Sequence, residues 1–308
     1  MARVWMTGGT GMVGRNLQAH VRAGSHDVMA PPRSELDLLD EDEVSAWVAG
    51  ACPEIVIHAA GKVGGIRANM EDPLNFMDVN MRIGRNVLMA AWRANVPRLI
   101  NLASSCFYPA RAQNPLREDQ ILTGPCESTN EGYALAKILV MRMGYYISRQ
   151  NPALSYKTLI PCNLYGPWDD FSANGSHMLP AAIAKIHGAL MAGDEEVEIW
   201  GDGTARREFM YAEDVADGIW AAVEQFDRLP EVMNLGVGAD RTINEYYAAA
   251  ARVIGWTGSF VHNLECPVGM KSKLLDITRQ SVFGWSPQYT LEEGIAKTYA
   301  HYLEHDTA

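Results

Sequence analysis

An α/β fold, with a doubly wound parallel sheet and a smaller, interleaved C-terminal part, is what the sequence predicts. Three observations carry that expectation. Short apolar runs alternate with segments of helical period through the first half of the chain. Glycines fall at 8, 11 and 14, at the first junction between such a run and such a segment. The 308 residues, 48% hydrophobic and 20% charged, suffice for a full core around one large α/β unit.

The elements follow in order. Strands are expected at 4–6, 27–30, 55–58, 99–102 and 157–160, with helices at 12–23, 41–50, 73–94 and 131–149 between them. Glu41, Asp42 and Glu43 open the second helix, where acidic side chains meet the positive end of its dipole. Such alternation implies a parallel sheet covered on both faces. Beyond residue 165 the rhythm loosens, with Tyr165-Gly166-Pro167 and Asn174-Gly175, a strand at 197–200 and helices at 178–191 and 243–254. Residues 1–165 are therefore expected to form a Rossmann-type dinucleotide domain. Residues 166–308 mainly bind substrate, with some chain returning to the first part. Repeats and low-complexity tracts are absent.

A net charge of −11 argues against nucleic acid or an anionic membrane as the main partner. Cys52, Cys106, Cys126, Cys162 and Cys266 are scattered, odd in number and without metal-ligand spacing, which fits a reducing cytoplasm and no metal site. The N-terminus runs straight into a strand and reads as neither signal peptide nor transmembrane helix.

Gly8, Gly11 and Gly14 permit a tight turn, close approach of a pyrophosphate to backbone amides, and close helix–strand packing. The second strand ends Ala30-Pro31-Pro32-Arg33-Ser34, so a guanidinium lies where an NAD site usually carries an acidic residue. Arg33 favours a ribose 2′-phosphate, and hence NADP, although Glu35 follows closely.

Tyr133 and Lys137 lie four apart, on one face of a helix. A nearby ammonium is expected to lower the phenol's pKa and ready it to exchange a proton with a carbonyl oxygen. Ser104, at the end of the fourth strand, can hydrogen-bond the same oxygen.

These residues resemble the extended short-chain dehydrogenase/reductase family. The likeness runs along the chain through Thr7 to Gly14, His58-Ala59-Ala60, Ser104-Ser105, Tyr133 to Lys137 and Pro161 to Gly166. Within that family, Lys62 to Ile66, Ser104 to Pro109, Thr129-Asn130-Glu131, Ser176-His177 and Lys273 to Asp276 are similar to the GDP-L-fucose synthase subgroup. The resemblance implies an epimerase-reductase acting on a GDP-4-keto-6-deoxy sugar with NADP(H). It implies NADP(H) contacts at Gly8, Gly11, Met12, Val13 and Gly14, at Ala59 and Ala60, and at Asn163, Leu164 and His177, besides Arg33 and the Ser104, Tyr133 and Lys137 group. It implies substrate contacts at Ser105, Cys106, Asn163, Lys185, Trp200, Arg207 and Lys273.

Cys106 and His177 take the acid/base work in that resemblance. A 4-keto group acidifies the protons on C3 and C5, and inversion needs one group to remove a proton and another to return it. Thiol and imidazole, with reference values near 8.5 and 6.5, suit exchange near neutrality. Thr10, the added arginine in Arg206-Arg207 and the segment Pro267 to Lys271 depart from the fucose synthase pattern. The last two, with Glu131-Gly132-Tyr133, look closer to GDP-L-colitose synthases, whose substrate lacks the 3-hydroxyl. A chain that kept the glycine turn without catalysis would be a redox-sensing module, and the Tyr133–Lys137 pair argues against that reading. The helix bearing Tyr133 is apolar around most of its circumference, and relatives pair it with the helix at 73–94 across a four-helix bundle, so a homodimer is expected.

Overall fold

In a computed structural model the chain is described over residues 1–172, 175–266 and 269–305. Short, mainly apolar runs form β1 (Arg3–Thr7), β2 (Asp27–Met29), β3 (Ile55–His58), β4 (Arg98–Leu102) and β5 (Ser155–Pro161). Smaller strands follow: β6 (Asn163–Tyr165), β7 (Glu196–Trp200), β8 (Arg206–Arg207), β9 (Phe209–Tyr211), β10 (Val232–Leu235), β11 (Arg241–Thr242), β12 (Ser259–Asn263) and β13 (Ser272–Lys273). The first five helices are α1 (Met12–Ala19), α2 (Glu41–Ala51), α3 (Ile66–Glu71), α4 (Pro73–Arg93) and α5 (Glu131–Gln150). The others are α6 (Met178–Ala192), α7 (Ala212–Glu224), α8 (Ile243–Ile254), α9 (Thr278–Phe283) and α10 (Leu291–His305).

Six strands make one parallel sheet in the order β10-β5-β4-β3-β1-β2. Successive side chains point to opposite faces. Val4, Met6, Ile57 and Ile100 therefore pack with Leu17 of α1 and Ile219 and Trp220 of α7, while Trp5, Val56 and Leu99 pack with Val87, Leu88 and Val140 of α4 and α5. Burial on both faces explains why these strands read as unbroken apolar runs.

Two elements from beyond residue 166 complete this unit. α7 lies against α1, and β10 supplies an edge of the sheet beside β5. A second core, built around Leu179, Ile183, Tyr246, Ala250 and Ile295, holds α6, α8 and α10 together.

One helix is shorter than its pattern implies. α1 stops at Ala19; His20 is extended and its ring accepts from the Arg22 amide, opening a separate 3₁₀ turn over Val21–Ser25. Gly24 and Ser25 add little helical propensity to resist that break. α4 and α5 pack closely at glycines: a Cβ on Gly132 would lie 2.6 Å from the Pro73 carbonyl oxygen.

Candidate active site

A cleft of about 1170 Å³ runs past the C-terminal ends of β1, β3, β4 and β5 and is walled on its far side by α6, β7 and the strands carrying Arg207 and Lys273. Ligands of open parallel sheets bind outside these strand ends.

At one end the backbone makes the site. Gly8 has φ +76°, and a Cβ there would lie 2.8 Å from the Ala60 nitrogen. A Cβ on Gly14 would collide with the Gly8 carbonyl. Gly11 is the N-cap of α1, with no side-chain cap and no acidic residue in the first turn, so the helix's leading N–H groups face the cleft unmet. Thr7 ties the strands together here: its Oγ1 lies 2.9 Å from His58 Nδ1 and accepts from the Ala60 amide at 3.2 Å. Burial, helped by the Lys137 charge, pushes His58 down to about 3, so its ring is neutral. This turn, whose close backbone approach admits no Cβ at Gly8 or Gly14, with the helix N-terminus facing the cleft, fits a dinucleotide pyrophosphate. Met12, Val13, Ala59, Ala60 and Leu164 line the same cleft. Arg33 stands at its wall, 77% exposed, with Nη2 3.7 Å from Asp37 Oδ2.

Midway, β4 delivers Ser104 and α5 delivers Tyr133 and Lys137. Ser104 Oγ accepts from the Cys106 amide at 3.2 Å, and its side chain stands beside the Tyr133 phenol in the same cleft. Lys137 Nζ donates to the Leu102 carbonyl at 3.2 Å and lies 5.8 Å from the Tyr133 ring centroid. The expected lowering of the phenol's pKa is not found. Burial raises it, the charge of Cys106 adds to that, and the Ser104 bond only partly opposes it. Burial also takes Lys137 down to about 8, weakening the cation meant to do the lowering. Tyr133 is thus held as a phenol, the form that gives a proton.

Past Tyr133, Cys106 leaves the 3₁₀ turn Ser105–Phe107 and lines the cleft. Lys273 Nζ donates to its Sγ at 3.7 Å. Lys273 is held there because β13 pairs with β8 in parallel, setting Lys273 opposite Arg207. Burial lowers Arg207 from its usual value while Cys106 and Glu127 pull it back up. His177 is the N-cap of α6; burial lowers its pKa against the charge of Asp170. Asn163 Nδ2 donates to the Glu208 carbonyl at 2.9 Å. Farther along, Trp200 Nε1 donates to Glu198 Oε1 at 3.0 Å, and Lys185 Nζ sits 5.5 Å from the Trp200 ring centroid.

One residue of the expected substrate set is not brought to the cleft. Ser105 is 2% exposed and does not line the cleft, because the turn that presents Cys106 points its neighbour into the core. Of the departing segment 267–271, Gly269 and Met270 line the cleft, whereas Pro267 and Val268 lie outside the described residues. Among the described residues, no group of three or more His, Cys, Asp or Glu side chains could hold a metal ion.

The model of the NAD dependent epimerase/dehydratase family matches residues 4–236, which takes in the glycine turn, Ser104, Tyr133, Lys137 and Arg207. The chain belongs to that family. Among curated relatives, it is 50% identical to a GDP-L-fucose synthase of Azorhizobium caulinodans over 98% of this chain and 96% of that one. It is 49% identical to a GDP-L-colitose synthase of Yersinia pseudotuberculosis over 98% of both. A GDP-D-glycero-L-gluco-heptose synthase of Campylobacter jejuni, solved in the presence of NADPH, superposes with a TM-score of 0.90 at 27% identity over 98% of each chain.

Two features of this family member escaped the sequence reading. The contact of Lys273 with Cys106 joins residues far apart in the chain, and no local pattern encodes it. Glu208 is wholly buried beside Arg207, and a carboxylate flanked by Arg207 and Phe209 was the one available signal.

Proposed function

We propose that the chain is an NADPH-dependent epimerase-reductase that converts GDP-4-keto-6-deoxy-D-mannose to GDP-L-fucose. The observation that carries this reading is the placement of two proton-handling groups on one turn. Ser104 stands beside Tyr133, and two residues later Cys106 meets Lys273 in the same cleft. NADPH, held by the glycine turn, Ala59, Ala60, Asn163 and Leu164 with Arg33 toward its 2′-phosphate, would supply hydride to C4 of the sugar. Tyr133, kept protonated by burial, gives its proton to the C4 oxygen while Ser104 hydrogen-bonds that oxygen. Cys106 and His177 remove and return the protons at C3 and C5, acidified by the same carbonyl. Arg207 and Lys273 meet the diphosphate and Trp200 and Lys185 the guanine, which suits a local cationic site on an acidic protein.

The relatives support this reading, and the similar identity to a GDP-L-colitose synthase supports a second. In it the substrate lacks the 3-hydroxyl and only C5 is inverted. Purified protein with NADPH, offered both GDP-4-keto sugars, separates them by rate. Failure to reduce either sugar sinks both.

Residues 1–165 then serve as the cofactor unit and 166–308 mainly as the substrate unit. A homodimer joins α4 and α5 to their copies: Leu74 of α4 and Leu135, Leu139 and Tyr146 of α5 are exposed at 72%, 45%, 40% and 54%. Light scattering at micromolar concentration should give twice the chain mass. The five cysteines are free, which supports a reducing compartment such as the cytoplasm. Among the described residues no helix is long and apolar enough to cross a membrane.

A further inference from the structure

Glu208 joins β8 to β9 and is 0% exposed, yet nothing in the chemistry above uses it. A carboxylate so placed is costly unless hydrogen bonds meet its charge. They come from the backbone of two separate segments. Oε1 accepts from the amides of Val237 at 2.6 Å and Gly238 at 2.7 Å, and Oε2 accepts from the amide of Leu275 at 2.9 Å. Its own carbonyl oxygen accepts from Asn163 Nδ2 at 2.9 Å. Leu275 follows two residues after Lys273, and Arg207 is covalently next to Glu208. This one residue therefore touches the anchorage of three of the polar side chains assigned to the sugar nucleotide, Asn163 through its carbonyl and Arg207 and Lys273 through the chain beside its carboxylate. The fit is tight: a Cβ on Gly236 would lie 2.5 Å from Oε1.

We propose that Glu208 is a positioning residue whose carboxylate, by bridging the Val237–Gly238 and Leu275 segments, fixes Arg207 and Lys273 relative to one another and, through Lys273, seats the Cys106 thiol. The assignment of those side chains to a sugar nucleotide rests on the function proposed above.

The anion is the working form. Burial raises the carboxyl to about 7, against the pull of the Leu275, Gly238 and Val237 amides and with a further push from Asp240. Protonation puts a donor where N–H groups need an acceptor, so the two segments loosen from Glu208 as pH falls through 7. The groups facing it are Asp240, ion-paired to Arg206 at 2.8 Å, the Cys162 thiol, the Tyr246 phenol and the adjoining Arg207. Burial keeps that thiol and that phenol above their usual values, so neither gains charge between pH 6 and 8.

The test uses the full chain and two probes, GDP-mannose, whose diphosphate diester does not titrate near neutrality, and NADPH. Calorimetry at pH 6, 7 and 8 compares wild type with Glu208→Gln and with Gly236→Ala, which crowds the carboxylate and leaves Glu208 in place. Wild-type affinity for GDP-mannose should fall severalfold from pH 8 to pH 6. Glu208→Gln should bind GDP-mannose about tenfold or more weakly, the loss expected for a charged hydrogen-bond acceptor, and without the pH dependence. Gly236→Ala should bind it weakly too, and NADPH affinity should hold in both. A flat wild-type profile, or equal losses of both ligands, overturns the proposal. If wild type binds no GDP-mannose at all, the sugar-nucleotide reading falls, and alkylation of Cys106 by iodoacetamide still judges Glu208. Loss of the Lys273 contact should slow that labelling severalfold in Glu208→Gln. An unchanged rate overturns the seating role.

Discussion

At one end of the cleft Gly8, Gly11 and Gly14 make a binding surface within a single turn; at the other, Asn163, Arg207 and Lys273 arrive from three segments far apart in the chain. The first surface is backbone, namely uncapped N–H groups at the start of α1 and a left-handed glycine with no room for a Cβ. The second is side chains held by pairing of β8 with β13, by one buried carboxylate and, for Asn163, by a bond to the Glu208 backbone carbonyl. A backbone surface recognises any pyrophosphate by shape and dipole. A side-chain surface chooses by charge and hydrogen bonding, so under the proposed function this end is where one sugar nucleotide is told from another. Between them lies the turn carrying Ser104 and Cys106, to which the proposed function gives both reduction and inversion.

The largest effect should come where the two ends meet. Tyr133→Phe removes the proton donor and should lower reduction by about 10²–10⁴-fold, the range for positioned acid catalysis. It should leave solvent deuterium exchange into the sugar, measured with NADP⁺ and no hydride source, near the wild-type rate. If exchange falls as far as reduction, the two jobs of the turn are not separate. Cys106→Ser should show the reverse, with exchange down by about 10²-fold or more and reduction of an already inverted sugar much less affected, because a hydroxyl holds its proton too tightly for exchange near neutrality. His177→Gln should resemble it. Full-rate exchange by Cys106→Ser would leave the thiol as packing. Deuterium at C5 alone, with faster turnover of the 3-deoxy sugar, would favour the colitose reading.

How far the sequence could be read follows the same division. The glycine turn, the strands and the spacing of Tyr133 and Lys137 are local patterns, and local patterns survive in one dimension. α1 ended early because His20 turns back to the Arg22 amide, a detail of cap chemistry that apolar periodicity does not record. Ser105 is buried where a cleft position was expected, because a 3₁₀ turn aims neighbouring side chains apart. The direction of the Tyr133 shift was missed for a different reason: burial depends on the whole fold, and it outweighs the ammonium that spacing alone places nearby. The Lys273–Cys106 contact and the bonds of Glu208 are long-range by construction.

A smaller effect sharpens the cofactor end. If Arg33 meets a 2′-phosphate, Arg33→Ala should weaken NADPH binding by about 1.5 kcal/mol, near the low end for charged hydrogen bonds because the side chain is 77% exposed. That is roughly tenfold in Kd. NADH binding should not change. Titration of both cofactors against both proteins gives the answer, and equal losses would make Arg33 structural. Under the proposed function the glycine turn should be indifferent to the choice, since the pyrophosphate assigned to it is common to both cofactors.

The smallest effect is a pH dependence that one function should show and the other should not. Burial lowers Lys137 from 10.5 to about 8, so its ammonium is whole below that pH and lost as pH rises through it. Tyr133 moves the opposite way and stays protonated, so it adds no limb of its own in this range. Reduction that needs the Lys137 charge should therefore be down about twofold at pH 8 and about tenfold at pH 9. Lys137→Met should be slow at every pH and lack that limb. Proton exchange at carbon makes no use of Lys137, so its rate should not fall over the same interval. A reductase profile flat to pH 10 would mean that Lys137 acts through its hydrogen bond to the Leu102 carbonyl rather than through its charge.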